Sequence, residues 1–260
     1  GGRGSHASVM RAIARLKRAG QLVGAVAVLS RDSAARIGEL YTFMKRAGVQ
    51  YRVNPLIAPA NAPADMQIRP AEYAEAMLRL FDLWFADEAP PHVDPIQLVV
   101  GNLIAPTVWG CDYRGGCVRD VLAINPDGNV FPCGQLAGHP QFLFGNILKD
   151  SPEHLLQAPM ARRIRERTRR LRKICRPCEF YSICNGGCTA SAWLCSGKID
   201  SRDYFCEGRR ALFQHAQDRI LHRLGETHGR QTARPTDGQE ARVCQTHGSE
   251  SRCQRQPARS

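Results

Sequence analysis

Eight of the eleven cysteines stand in one ordered pattern, Cys111-x5-Cys117-x15-Cys133, then Cys175-x2-Cys178-x5-Cys184-x3-Cys188, and finally Cys206. Thiolates are soft donors. Held in fours they enclose a tetrahedral zinc ion or carry a 4Fe-4S cluster, and short gaps bring donors to one centre at little loop-closure cost. The pattern therefore supplies thiolates for two four-ligand sites. Disulfides fit poorly: the sequence shows no hydrophobic signal segment, the cysteine count is odd, and 260 residues can bury a core without covalent staples. Scattered core thiols would not keep such a register. Spacing alone leaves zinc and iron-sulfur both open, because C-x2-C pairs serve either.

The residues between the cysteines carry more. Gly128-Asn-Val-Phe-Pro-Cys133 and Phe144-Gly145-Asn146-Ile147 separate the two cysteine groups, and Cys184-Asn-Gly-Gly-Cys188 lies inside the second. This resembles the SPASM domain of radical S-adenosylmethionine (radical SAM) peptide-modifying enzymes. That family's signature, C-x9-15-G-x4-C followed by C-x2-C-x5-C-x3-C and a last C, is met by Cys117, Gly128, Cys133, Cys175, Cys178, Cys184, Cys188 and Cys206. Cys111 matches a further ligand. The resemblance implies that Cys111, Cys117, Cys133 and Cys188 hold one auxiliary 4Fe-4S cluster and that Cys175, Cys178, Cys184 and Cys206 hold a second. Because these ligand sets interleave, the two sites are expected to fold as one unit. Cys195, Cys244 and Cys253 stand outside the sets and read as plain thiols.

Free thiols in this number need a reducing compartment, and no apolar stretch approaches the roughly 20 residues that span a bilayer, so no membrane partner and a cytoplasmic location are expected. The formal charge of +12 counts every cysteine as neutral. A 4Fe-4S core of about +2 on four thiolates carries about −2, so two clusters bring that charge to about +8. Much of the excess lies in Arg162, Arg163, Arg165, Arg167, Arg169, Arg170, Arg172 and Lys173, just before Cys175. This run reads first as a solvated helix face that offsets cluster charge, with an acidic-peptide surface or a nucleic-acid patch as alternatives.

The elements that must position these residues are mixed α/β. Ser8 to Ala19 places Val9, Ile13 and Leu16 on one helical face, Gly20 ends the helix, and Val23 to Leu29 reads as a small buried strand. Asp32 then caps a helix with Ile37, Leu40, Tyr41 and Met44 inward, Gly48 stops it, and Val49 to Val53 is the next strand. Lys17-Arg-Ala-Gly20 and Lys45-Arg-Ala-Gly48 mark equivalent points of two αβ units, which predicts a parallel sheet. An Ala/Pro-rich connection, 54–70, leads to a bridging helix, 71–86, with Tyr73, Met77, Leu80, Phe81 and Trp84 on one face, and a second apolar stretch covers 95–106. Val121 to Asn125, the turn Pro126-Asp-Gly128 and Val130 to Phe131 read as a β-hairpin, and Ser151-Pro152 as a helix start. From Arg223 the chain turns polar without periodicity, which predicts disorder. The glycines of Gly1-Gly-Arg-Gly-Ser-His6 read as a flexible lead into the first helix, since the lysine-serine ending of a phosphate loop is absent.

By resemblance, residues 1–69 are later βα units of a radical SAM partial (β/α) barrel, 70–110 bridging helices, 111–222 a small cysteine-rich α+β SPASM domain, and 223–260 a basic, polar tail. No C-x3-C-x2-C triplet, the motif that binds the S-adenosylmethionine-cleaving cluster in this family, occurs here. The chain thus reads as the C-terminal portion of a larger enzyme whose full length adds a third 4Fe-4S cluster and S-adenosylmethionine. Anaerobic sulfatase-maturating enzymes and ribosomal-peptide maturases share the layout. In the sulfatase branch an aspartate follows the cysteine matching Cys133 and serves as proposed base; here Gly134 stands there, without a titratable group. Cross-linking or oxidation of a peptide or protein substrate is therefore expected ahead of formylglycine formation. The expected partners are that substrate and an electron donor such as flavodoxin or ferredoxin, not nucleic acid. No catalytic residue is assigned, and Gly186 and Gly187 serve either the turn or the tuning of cluster potential. A reading of another class is a zinc-ribbon module whose arginine run contacts nucleic acid.

Overall fold

The computed structural model describes residues 4–57 and 66–232, side chains from 227 onward excepted. Four expectations fall outside the described residues: the first glycines of the lead into the first helix, the middle of the Ala/Pro-rich connection at 58–65, the thiols of Cys244 and Cys253, and the expected disorder over 233–260. Helix α1 (His6–Arg18) leads to β1 (Gly24–Leu29), α2 (Arg31–Ala35) and α3 (Ile37–Ala47) to β2 (Gln50–Pro55), and α4 (Pro70–Ala86) to β3 (Val93–Asp94) and α5 (Ile96–Ile104). The strands form a parallel sheet in the order β1-β2-β3, with Gly24 opposite Gln50 and Tyr51 opposite Val93. Lys17 Nζ donates to Ala47 O at 2.7 Å, so one αβ unit's lysine satisfies a C-terminal carbonyl of the next unit's helix.

Two local expectations are corrected, those for β1 and for the cap of the second helix. Strand β1 is not buried on both faces: Ala27 and Leu29 point into the core, while Val26 and Val28 remain 64% and 55% exposed, the alternation of a sheet covered on one side. The apolar face of α1 meets no core either, with Val9 and Leu16 both exposed and no residue of the helix buried. The helical cap is Ser30 rather than Asp32. Ser33 N donates to Ser30 Oγ at 3.3 Å and Ser30 N to Ser33 Oγ at 2.8 Å, a reciprocal box that opens α2.

One core lies under the parallel sheet, joining Leu29, Ile37, Val53, Met77, Leu80, Phe81 and Ile96 to Tyr113, Phe180, Phe205, Leu212 and Phe213 from the cysteine-rich half. A second gathers Val130, Phe131, Phe142, Phe144, Leu155, Ile164 and Ala190. Around it the chain runs through α6 (Cys111–Arg114), β4 (Ala123–Ile124), β5 (Asn129–Phe131), β6 (Gly145–Asn146), α7 (Pro152–Gln157), α8 (Pro159–Arg165), α9 (Arg167–Cys175), α10 (Tyr181–Cys184) and α11 (Thr189–Ser196). Strands β4 and β5 pair antiparallel about Gly128 at φ 85°, and β6 adds a third strand that the sequence did not announce. Ser151 caps α7, its Oγ accepting from His154 N at 3.2 Å.

Helix α12 spans Cys206–Thr232. The expectation of disorder from Arg223 fails for residues 223–232, because a helix nucleated on buried residues elongates at low cost through Arg, Leu, Glu and Gln. The chain divides into a compact unit, Gly1–Ile220, and a second, Leu221–Ser260, in whose helical turns His222 Nδ1 lies 3.5 Å from Glu226 Oε1. Among the described residues no helix is long and apolar enough to cross a membrane.

Candidate metal centre

Four cysteines from three separate segments line one cavity of about 290 Å³: Cys111 at the start of α6, Cys117 just beyond it, Cys133 after β5, and Cys188 before α11. Leu136, Ile164 and Pro132 supply apolar wall. Cys111 and Cys117 interact closely, which holds the Cys117 thiol below the ordinary range and the Cys111 thiol above it. Thr189 Oγ1 adds a donor to Cys117 Sγ at 3.5 Å. Burial pushes Cys188 up to about 12 and also raises Cys133, against which the backbone N–H groups of Ser191 and of Leu136 and Gln135 favour the respective thiolates. Main-chain donors aimed at sulfur are what a thiolate ligand needs in an apolar wall. Val118, next to Cys117, is buried at φ 69°, a left-handed conformation that costs a β-branched residue about 1–3 kcal/mol.

A second set lies together at the ends of three helices: Cys175 closes α9, Cys178 follows it, Cys184 ends α10 and Cys206 opens α12. Burial raises Cys206 first, and the neighbouring Cys175 and Cys178 add to it. Cys184 is likewise pushed to about 11 by burial and, further, by Cys206, while Gly186 N–H favours its thiolate. Cys195 lines neither place; its sulfur sits 4.0 Å from Gln67 Nε2 and burial lifts its pKa to about 11. Among the described residues no three Cys, His, Asp or Glu side chains converge tightly enough to grip a single ion.

Between the sets runs a turn that only glycine can make. Gly186 and Gly187 take φ 82° and 73°, and a Cβ would meet Leu171 Cδ1 at 2.4 Å or Asp203 Cβ at 2.4 Å. Asp203 accepts from Cys188 N at 2.7 Å, Ser191 Oγ at 3.0 Å and Phe205 N at 2.8 Å. Its Oδ2 lies 3.3 Å from Arg209 Nε. Arg209 reaches Asp112 at 3.3 Å, Asp112 also pairs with Arg52 of β2 at 3.0 Å, and the Arg209 guanidinium stands 5.2 Å over the Tyr113 ring. Burial opposes the charge on Arg209, but Asp203 and Asp112 outweigh it and its pKa is raised. Sequence reasoning missed this network. Its one local sign is that Asp112 follows Cys111 and Asp203 lies three residues before Cys206.

The basic run needs correction at one position. It divides between α8 and α9, and Arg167, counted with a solvated face, is only 3% exposed. Its guanidinium donates to Ile199 O at 2.7 Å, Gly187 O at 2.9 Å, Ser201 O at 2.8 Å and Gly186 O at 3.1 Å. The other arginines of the run include surface pairs, such as Arg163 with Asp200 at 2.7 Å and Arg170 with Glu166 at 2.8 Å.

In sequence and in fold the chain is similar to radical SAM/SPASM maturases. Residues 116–179 match the SPASM family, described as an iron-sulfur cluster-binding domain. The chain is 20% identical over 205 residues to the cysteine-type anaerobic sulfatase-maturating enzyme of Clostridium perfringens (strain 13 / Type A), covering 75% of this chain and 54% of that protein. It is 22% identical over 223 residues to the enzyme of the same description from Clostridium novyi (strain NT), covering 82% and 58%. It thus spans a little over half the length of these relatives. The solved structure of native anSMEcpe with bound AdoMet superposes with a TM-score of 0.72 at 17% identity, over 85% of this chain and 62% of that one. The same protein with AdoMet and the Kp18Cys peptide gives 0.71 at 18%, over 85% and 63%. That likeness shows a shared fold.

Proposed function

We propose that this chain is the auxiliary-cluster portion of a radical SAM enzyme that modifies a peptide or protein, with Cys111, Cys117, Cys133 and Cys188 holding one 4Fe-4S cluster and Cys175, Cys178, Cys184 and Cys206 a second. The observation that carries this reading is the convergence of four thiols from three separate segments on one cavity. The donor chemistry fits: all eight groups are thiols, and both neighbourhoods contain buried arginine charge that suits anionic clusters. When bound, such clusters exchange single electrons, so the chain's tasks are to carry electrons, received from a donor such as flavodoxin or ferredoxin, and to dock the substrate peptide. The parallel sheet β1-β2-β3 belongs, on this reading, to the later units of a partial barrel, and the β4-β5 pair to the hairpin of the SPASM domain.

Formylglycine formation is the second reading, favoured by the sulfatase-maturating relatives. Against it stands Gly134, which has open space where a side chain would project and no group to take a proton.

Anaerobic reconstitution is expected to give a brown protein with about eight iron and about eight sulfide per chain. Two zinc ions and no visible absorption would return the zinc-ribbon reading. A further expectation concerns S-adenosylmethionine. With every patterned cysteine engaged in closing a four-thiolate site, neither cluster keeps an open iron to chelate the cofactor, and C-x3-C-x2-C is absent from the sequence. Incubated with dithionite and S-adenosylmethionine, the reconstituted chain should form no 5′-deoxyadenosine above a cluster-free control by mass spectrometry. Turnover there would show that one site has fewer than four protein ligands.

A further inference from the structure

Burying a guanidinium without a carboxylate is costly, and hydrogen bonds to neutral carbonyls satisfy its donors without cancelling its charge. Arg167 is in that position. Four of its N–H groups go to backbone carbonyls, and among the ion pairs of the described residues none involves it. Arg209, the other buried arginine, is instead flanked by two carboxylates. Burial pushes the pKa of Arg167 down, and the groups that favour its charge are Cys117 and Cys188 of the first set, Asp203, and Cys175 of the second.

The location matters as much as the charge. Arg167 opens α9, the helix that ends at Cys175, and it grips the carbonyls of Gly186 and Gly187, the turn that joins Cys184 to Cys188. The peptide between Gly187 and Cys188 is held at both ends, by Arg167 on its carbonyl and by Asp203 on its N–H. One cation is thus fixed on the turn that joins a ligand of one site to a ligand of the other.

We infer that Arg167 is the counter-charge shared by both cluster sites, setting the reduction potential of each cluster and not only the shape of the turn between them. This rests on the cluster reading above. A fixed positive charge favours the more negative, reduced form of a nearby cluster, so removing it lowers both potentials. The geometry separates charge from hydrogen bonding, because lysine keeps the first and loses the planar fork.

The test compares the reconstituted parent chain with Arg167→Gln and Arg167→Lys by iron and sulfide analysis and by redox titration followed by electron paramagnetic resonance. Expected for Arg167→Gln is a tenfold or larger shift of both clusters toward the oxidised form at a given potential, about 59 mV for a one-electron couple. Arg167→Lys should stay near the parent. Should Arg167→Gln lose iron from both sites while Arg167→Lys keeps it, the shared counter-charge is equally supported. Unchanged potentials in a fully loaded Arg167→Gln, a shift at one cluster alone, or equal loss of iron from both variants would overturn the inference and leave Arg167 a hydrogen-bonding clamp. A parent chain that takes up zinc in place of iron removes the ground for this role and for the cluster reading together, and is recognised before any variant is compared.

Discussion

Cys188→Ala is expected to remove the iron of the first site, about four atoms per chain, and to leave the second cluster readily stripped by chelators. Cys188 is one of the four thiols of the 290 Å³ cavity, so its loss opens that site directly. It also stands at the end of the Gly186-Gly187 turn that begins at Cys184, a member of the other set, and its N–H anchors Asp203. Cys133→Ala should remove the same iron, since Cys133 lines the same wall. Cys195→Ala, whose thiol lies beside Gln67, should bind as much iron as the parent. Iron lost by Cys195→Ala and kept by Cys188→Ala would show the ligand sets to be wrongly drawn.

Asp203→Ala should be the most damaging substitution outside the cysteines. The carboxylate has its side chain 1% exposed, accepts three hydrogen bonds and faces Arg209, itself buried. Its removal strands a guanidinium with Asp112 as its remaining carboxylate partner, a loss of about 3–5 kcal/mol by the behaviour of broken buried pairs. Asp200 offers the control. Its pairs with Arg163 and Arg170 lie at the surface, where the cost of Asp200→Ala is about 0–1 kcal/mol. Anaerobic urea titrations at matched iron content should show a large drop in midpoint for Asp203→Ala and almost none for Asp200→Ala. Equal midpoints would mean that the buried network adds no stability.

The cysteine pattern and the two αβ units were legible because both are local. Ligand spacing and helix-to-strand periodicity are written within a few tens of residues, and Lys17-Arg-Ala-Gly20 and Lys45-Arg-Ala-Gly48 repeat visibly. The charged network was not legible, because Arg52, Asp112 and the closely spaced Asp203 and Arg209 come from three distant points and, the nearby cysteines aside, nothing in their flanking residues distinguishes a buried charge from a surface one. Arg167 was hidden for a related reason: among eight basic residues, only tertiary packing selects the one turned inward. Errors at the edges have the opposite cause. Strand β1 was read as buried from its apolar run, whereas burial depends on what lies opposite; in this structure Val26 and Val28 are exposed, as are Val9 and Leu16 on the periodic apolar face of α1.

Helix α12 begins with Cys206 and within three turns also supplies Arg209, Leu212, Phe213 and Ala216. A thiol that opens a helix would ordinarily sit on its most frayed end, where amide protons exchange first. Here that first turn is fastened by the Asp203 carboxylate on one side and by three apolar residues packed in the main core beyond. Displacing the Cys206 backbone therefore demands that the whole segment leave the core, so this thiol's position is tied to the main core rather than to a frayed helix end.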